Sequence, residues 1–500
     1  MSTQTATGEV AYRPVIGLEV HVQLETQTKI FCGCSTAFAD AAPNTHTCPV
    51  CLGLPGSLPV VNEAAIEAAV RVGMAIDAEV ADVTRFHRKN YFYPDLPKNF
   101  QITQYDEPIC RDGSLEIEHA GERRAVTIER AHLEEDPGSL QHVGGSIATA
   151  EYTRIDYNRA GVPLMEIVTA PDFRAPGEVR AFLSKLETVL EYLDVFDAGR
   201  DGSLRVDANV SLVEAEAFDG DDVPAAALAS AHRTEVKNIS SHKGAERALA
   251  YEVTRQRNAL RRGRELERET RHWDESRGIT VGLRTKEAAA DYRYFREHDI
   301  PAVRTAPIRE RVSIPELPDA RRARFVEAYD LNEETAAKLT STRQVADLFE
   351  DMAERFDAHL AATWVADEIL GELHYRDLTV TDVADRLHAF RRLIELVAEE
   401  RITAKNAREV VLRTMLDEGR EPDEIVEAEG LGKTDETAVA EAVEAAVRDH
   451  PEAVEDYHRG EAGALNYLVG QVMQSTGGRA DPAVVHELLE AALAEADAPS

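Results

Sequence analysis

Apolar and polar positions alternate along the chain up to about residue 300, and a helical period takes over from there to the end. Residues 15–24 read VIGLEVHVQL, which places Leu18, Val20, Val22 and Leu24 on one face of a strand and Glu19, His21 and Gln23 on the other. A second strand, opened by Ser203, sends Leu204, Val206, Ala208 and Val210 one way and Arg205, Asp207 and Asn209 the other. Short strands of this kind, broken by Gly, Pro and Asn turns and joined by helices such as 175–192, predict an α+β domain. From about residue 314, Ala, Glu, Leu and Arg recur at helical spacing, including 319–329 and 383–399, so the second half is expected to be all-α. A glycine-containing acidic stretch at 418–433 precedes another helical set at 436–494, read as a small terminal module. The expected domains are 1–300, 301–428 and 429–500. Residues 213–230, with Glu214, Glu216, Asp219, Asp221 and Asp222, read as an acidic surface loop to which no chemistry is assigned.

The 500 residues are 43% hydrophobic, enough for two or three cores. No run approaches eighteen apolar residues, and the polar start lacks the basic and apolar regions of a signal peptide, so a cytoplasmic chain without membrane contact is expected. Acidic residues number 91 against 56 basic ones, a formal net charge of -35 that is spread along the chain, with lysine scarce beside arginine. Such a surface suits a halophile's cytosol, where molar salt shortens the Debye length to about 3 Å. A partner that avoids polyanions is the other reading, but a local groove could still bind RNA in high salt.

Four of the five cysteines cluster as Cys32-x-Cys34 and Cys48-x-x-Cys51. Thiolates this close can close a tetrahedral zinc site of structural type, with His46 as a substitute ligand; the alternative is four reduced thiols in a loop. Glu19 and His21 share a strand face, which is either solvated or able to ligate a cation. Further acids stand at Glu134, in His132-Leu133-Glu134-Glu135-Asp136, and at Glu166, inside the apolar run 163–168. A buried acid there needs a partner, either a metal or an arginine such as Arg159. One histidine with several carboxylates is a hard donor set suited to Mg²⁺ or Mn²⁺, which points to phosphate chemistry. Yet Gly430-Leu431-Gly432-Lys433-Thr434 is no phosphate loop, because Glu427 stands where the first glycine must be. Residues 86–105, FHRKNYFYPDLPKNFQITQY, interleave Lys89 and Lys98 with aromatics including Tyr93. The segment is either a packed turn with solvated lysines or a seat for a nucleotide or an unstacked tRNA end.

The words VIGLEVHVQL, RKNYFYPDLPKNFQITQYDEPI, HLEEDPG, DYNRAGVPLMEIVTAPD, GSLRVDANVSL, TEVKNISS and DYRYF, in this order and spacing, resemble the GatB subunits of the GatCAB amidotransferases. Residues 454–481 are similar to that family's tail module, so the likeness covers nearly the whole chain. It departs at Pro137, where a small residue is usual, and in the length of the 213–230 insertion. The related archaeal GatE subunits carry a large inserted domain for which residues 291–329 leave no room.

This resemblance implies an N-terminal cradle on an antiparallel sheet, then a helical domain and a YqeY-like tail that hold tRNA. It places Glu19, His21, Glu134, Glu166 and Asp207 at a divalent-metal and phosphoryl-transfer site, with Lys89, Tyr93, Lys98, Ser203 and Arg205 near the nucleotide or tRNA end. The implied reaction is ATP-dependent activation of the aspartyl or glutamyl carboxylate on tRNA(Asn) or tRNA(Gln), followed by amidation. No glutaminase motif is present, so an amidase-type glutaminase (GatA) and a small third component (GatC) are implied partners. A non-catalytic tRNA scaffold and a stand-alone metal-dependent nuclease or phosphatase are the competing readings.

Overall fold

The computed structural model describes residues 10–144, 150–200, 202–285, 292–432, 436–461 and 463–496. The polar segment before Val10, Asp291 of the DYRYF word, and Lys433 and Thr434 lie outside the described residues. The chain divides into two compact units, Met1–Leu317 and Pro318–Ser500.

The first unit is built on a nine-stranded sheet. Its strands are β1 (Tyr12–Gln23), β2 (Glu79–Val80), β3 (Cys110–His119), β4 (Glu122–Glu135), β5 (Pro163–Thr169), β6 (Leu204–Glu214), β7 (Thr234–Ile239), β8 (Glu269–Asp274) and β9 (Ile279–Thr285). Their order is β9-β8-β7-β6-β1-β5-β4-β3-β2, antiparallel throughout except for the parallel β7–β8 pair. Helices α1 (Glu63–Ala75), α2 (Pro176–Tyr192), α3 (Ala225–Ser230) and α4 (His242–Arg261) lie in the connections.

The period-2 pattern decides which face is covered. Leu18, Val20 and Val22 of β1, Val206 and Ala208 of β6 and Ile167 of β5 join Phe182 and Leu186 of α2 and Ala248 and Leu249 of α4 in one core. Local chemistry starts those helices: Pro176 opens α2 while Glu178 accepts from the Arg174 and Ala175 amides at 2.6 and 3.2 Å, and Ser241 accepts from the Gly244 amide at 3.0 Å to cap α4. The opposite, polar face is left for other uses.

The second unit is helical, and its described residues form two cores. One gathers Phe325, Phe349, Trp364, Phe390 and Val411; the other gathers Val439, Leu468, Val472, Val485 and Leu489 from three of the last four helices. The stretch 383–399, expected as one helix, is a 3-10 turn (Thr381–Arg386) followed by a helix (Leu387–Ala398), because Val383 takes non-helical angles. The insertion at 213–230 is more than a loop: β6 runs on to Glu214, and α3 forms within it.

Candidate metal and phosphoryl-transfer site

Antiparallel register lays the polar residues of four central strands out in rows. His21 of β1 stands opposite Arg205 of β6 and Glu166 of β5, and Glu166 stands opposite His132 of β4. One step along, Glu19 faces Asp207 on one side and Val168 on the other; one step the other way, Glu134 faces Leu164. Because directly opposed side chains lie about 5 Å apart, residues distant in sequence become neighbours on one face.

Three donors converge. His21, Glu134 and Glu166 each offer a ligand atom, all within 4.8 Å of one another. His21 Nδ1 is 3.3 Å from Glu134 Oε1 and 4.0 Å from Glu166 Oε2. Glu166 also has His132 Nε2 at 3.6 Å and Arg130 Nη2 at 4.0 Å, while Thr103 donates to Glu134 at 3.4 Å. Arg159, the salt-bridge partner considered from the sequence for Glu166, instead donates to the Pro137 and Gly138 carbonyls and lies 3.7 Å from Asp136.

Electrostatics knits the cluster together. Burial opposes a charge on His21, but the Glu134 hydrogen bond and the charges of Glu166 and Glu134 outweigh it and raise its pKa to about 9. Burial likewise works against the Glu166 carboxylate, yet His132, His21, Lys89 and Arg130 hold its pKa at about 2. For Glu19, burial and then the charges of Glu166 and Asp207 push the pKa up. Two carboxylates and one imidazole on separate strands form an oxygen-rich donor set that fits Mg²⁺ or Mn²⁺.

The other expected residues spread around this centre. Glu19 accepts from Asn209 at 3.1 Å, and Asp207 is ion-paired with Lys237, so these two acids sit in the adjoining row and outside the three-donor cluster. Lys89 is held between Tyr292 and Tyr91, its nitrogen 5.1 and 5.9 Å from their ring centres. Burial opposes its charge, and Glu134 above all restores it, leaving the pKa raised. Tyr292 and Tyr294 meet edge to face, and Tyr294 stacks on Tyr105 at 4.1 Å, making an aromatic wall beside the cluster. Lys98 pairs with Glu135 at 2.5 Å, and Arg205 pairs with Asp136 at 2.6 Å. Ser203 is buried, its carbonyl accepting from the Gln23 amide, and Tyr93 is exposed. Asn209 lies on the polar strand face noted from the sequence, whereas His132, Lys237 and the tyrosine pair at 292 and 294 are not singled out there. The alternation of TEVKN and the aromatics of DYRYF were the available signals.

A second cluster lies in the loop after β1. The four Sγ atoms of Cys32, Cys34, Cys48 and Cys51 are within 4.8 Å of one another, and Cys48 and Cys51 are 3.9 Å apart. Tetrahedral zinc with bonds near 2.3 Å wants sulfurs about 3.8 Å apart, so this quartet could hold a structural metal. Hydrogen bonding from Cys32 favours the Cys51 thiolate against burial and lowers its pKa to about 4, helped by the buried Lys29 ammonium 3.7 Å away. His46 stands apart; its ring lies 3.3 Å from the Ser35 carbonyl.

Sheet, donor cluster and thiolate knuckle together define a catalytic α+β domain followed in sequence by helical modules. The profile described as GatB/GatE catalytic domain matches residues 14–308, and the one described as GatB domain matches 347–493. Relatives named as the B component of aspartyl/glutamyl-tRNA(Asn/Gln) amidotransferase match over nearly their full length. That of Natronomonas pharaonis is 67% identical over 495 residues, 99% of this chain and 100% of its own. That of Halobacterium salinarum is 66% identical over 497 residues, 99% and 100% of the two chains. That of Methanosarcina mazei is 50% identical over 499 residues, 95% and 97%. The chain belongs to the GatB family of amidotransferase subunits, enzymes of the ligase type, as its motifs led one to expect. Membership of that family implies further subunits in the working assembly. Among the described residues no helix is long and apolar enough to cross a membrane.

Proposed function

We propose that the first unit uses ATP to activate the side-chain carboxylate of aspartate or glutamate carried on tRNA(Asn) or tRNA(Gln), so that ammonia can convert it to the amide. A carboxylate resists ammonia because its charge is delocalised and its oxygen leaves poorly. One carboxylate oxygen attacks the γ-phosphorus, the bond to ADP breaks, and an acyl phosphate results. Ammonia then bonds to the acyl carbon, the C–O bond to phosphate breaks, and a proton leaves the nitrogen with the departing phosphate.

The observation that carries this reading is the convergence of His21, Glu134 and Glu166 beside the charged Lys89. These three residues would hold Mg²⁺ or Mn²⁺, which when bound supplies charge neutralisation at the transferred phosphoryl group. Lys89 adds a fixed positive charge among aromatic rings, and a site of this kind works mainly by positioning and electrostatics. Glu19 and Asp207, the latter paired with Lys237 of the neighbouring strand β7, form the next row, where a second ion would be received. Tyr91, Tyr105, Tyr292 and Tyr294 present ring faces and edges to an unstacked tRNA end. The helical domain (301–428) and the tail (429–500) would hold the body of the tRNA. Ammonia would come from a GatA-type glutaminase, with a small GatC-type protein completing the assembly in the cytoplasm.

The test is ADP release by the chain assembled with its GatA- and GatC-type partners in concentrated KCl. ADP release should require mischarged tRNA, and Glu134→Gln should abolish it while tRNA binding stays intact. Normal amidation by that variant would reduce the cluster to a scaffold of salt bridges.

A further inference from the structure

Both carboxylates of the three-donor cluster border one turn, residues 156–162. Glu134 is the last but one residue of β4, two before Asp136, and Glu166 is the fourth residue of β5, which the turn enters at Pro163. Backbone bonds stitch the two ends together. The Asp136 amide donates to the Val162 carbonyl at 2.9 Å, and the Gly161 amide donates to the Asp136 carbonyl at 2.8 Å. The place of this turn therefore sets where both carboxylates stand.

Arg159 clamps the turn to the end of β4. Its Nε donates to the Pro137 carbonyl and its Nη2 to the Gly138 carbonyl, each at 2.9 Å, and its Nε lies 3.7 Å from Asp136 Oδ2. Asp136 is buried, so its charge needs partners; Arg205 holds one oxygen at 2.6 Å and Gln23 the other at 2.7 Å. Gly138 leaves no slack, because a Cβ there would meet the Tyr157 ring at 2.9 Å and the Asp156 carbonyl at 3.1 Å.

From the other side the thiolate knuckle grips the same turn. Five hydrogen bonds join residues 42–46 to 155–158. Asn158, 1% exposed, uses both ends of its amide: Oδ1 accepts from the His46 amide at 2.8 Å, and Nδ2 donates to the Ala42 carbonyl at 2.9 Å. Asn44 supplies the other three. Its amide donates to Asp156 at 2.9 Å, its Nδ2 to the Ile155 carbonyl at 3.0 Å, and its Oδ1 accepts from the Tyr157 amide at 2.8 Å. The buried Lys29 ammonium adds a bridge between the His46 and Tyr157 carbonyls, at 2.8 and 3.3 Å. None of the five bonds involves a cysteine, so they join two segments that the quartet itself does not.

We infer that Asn158 and Arg159 are positioning residues, through which the knuckle holds Glu134 and Glu166 at the separation a divalent ion requires. The inference rests on the reading of the His21 cluster as a divalent-metal site. No hydrogen bond or ion pair among the described residues joins either residue to His21, Glu134 or Glu166, so each acts through the backbone of the turn. Two carboxylates within 4.8 Å of one another repel, and only a held backbone keeps them in place for an ion. Groups that orient metal ligands in this way usually carry about 10- to 100-fold of metal affinity or activity.

The experiment uses the full chain with its partner subunits in concentrated KCl, follows Mn²⁺ binding by electron paramagnetic resonance and measures amidation of mischarged tRNA. Arg159→Met keeps the apolar stem and removes the guanidinium. It should raise the Kd for Mn²⁺ about 10- to 100-fold and lower kcat by a similar factor, with the KM for tRNA unchanged. Arg159→Lys should recover part of the loss, and Asn158→Ala should shift Kd and kcat in the same direction as Arg159→Met. Asn44→Gly is the mild variant: glycine takes the φ of 63° found at Asn44 without strain and keeps the backbone bond to Asp156 while losing the other two. It should raise the Mn²⁺ Kd at least about threefold, which keeps the test alive should the harsher variants fold poorly. A purely structural role would lower Tm and the active fraction but leave Mn²⁺ Kd and kcat of the folded assembly within about twofold of the parent, and that result overturns the inference. So does a rise confined to the KM for tRNA, which would make the turn a tRNA contact. If the unaltered assembly binds no Mn²⁺, the metal reading of the cluster itself falls; equal binding by parent and variants removes only the positioning role.

Discussion

At the level of single residues, His21 carries two roles that pH separates. Its pKa of about 9 in the metal-free protein means an imidazolium at neutral pH, wedged between Glu134 and Glu166 and only 19% exposed. A histidine whose folded pKa is raised contributes stability that is full below the ordinary 6.5 and is lost as pH rises through about 9. A metal needs the neutral ring, so ion binding must displace that proton. Mn²⁺ affinity of the metal-free chain should therefore climb with pH up to about 9 and level off, which titration followed by electron paramagnetic resonance would read. A flat profile between pH 6 and 9 would remove His21 from the ligand set. His21→Ala should abolish the climb and lower amidation by about two to three orders of magnitude, the usual cost of one electrostatic group in a preorganised site. The sequence made Glu19 and His21 visible as a shared strand face, and Glu134 and Glu166 as acids needing partners. It could not show that Glu134 and Glu166 sit around His21 while Glu19 and Asp207 occupy the next row, because register between strands distant in sequence is set by packing on the other face.

Among the elements, α2 carries a local conflict that the fold tolerates. Glu191 lies in its last turn, where the helix dipole is negative, no basic residue is present, and Glu187 stands four residues before it. Burial first, then Glu187 and Asp197, raise the Glu191 pKa from 4.5 to about 7. A carboxyl raised in the fold favours folding below its unfolded pKa and loses that advantage as pH climbs through about 7. Glu191→Gln should thus stabilise the chain above pH 7 by about 1 kcal/mol after allowing for solvent screening, and by almost nothing below pH 4.5, as paired denaturation curves would show. The thiolate knuckle makes the opposite kind of prediction, since it has few apolar residues of its own to hold it. Elemental analysis should find one zinc per chain, and Cys48→Ser should lose it and expose residues 32–60 to protease while the sheet stays folded. One zinc retained in that variant, or none in the parent, would leave four reduced thiols as the better description. Elements of strong period, such as β1, β6 and α2, were legible from spacing alone. The short strands and α3 were not, because six residues or fewer carry too little pattern to outweigh tertiary context.

For the molecule as a whole, charge sets the conditions under which any of this can be observed. The acidic excess of 91 over 56 leaves 35 carboxylates without a basic counterpart, so lateral repulsion remains even if every cation finds a partner. Salt acts both ways: it weakens surface ion pairs such as Arg247–Glu275, each worth about 0–1 kcal/mol, and it screens the repulsion. With so many unmatched acids the second effect should win, and the chain should gain stability as KCl is added. Going from 0.1 M to 1 M shortens the Debye length from about 10 Å to about 3 Å. Most of the gain should therefore fall in that interval, with a rise in Tm on the order of 10 °C. Salt excluded from the surface would act differently, strengthening apolar burial in proportion to its concentration and more for sulfate than for chloride. Thermal unfolding in KCl and in K₂SO₄, compared at equal ionic strength, separates the two. Curves that coincide and flatten near 1 M assign the effect to screening. Curves that keep rising and rank sulfate first would mean that the acidic surface is not what sets the salt requirement.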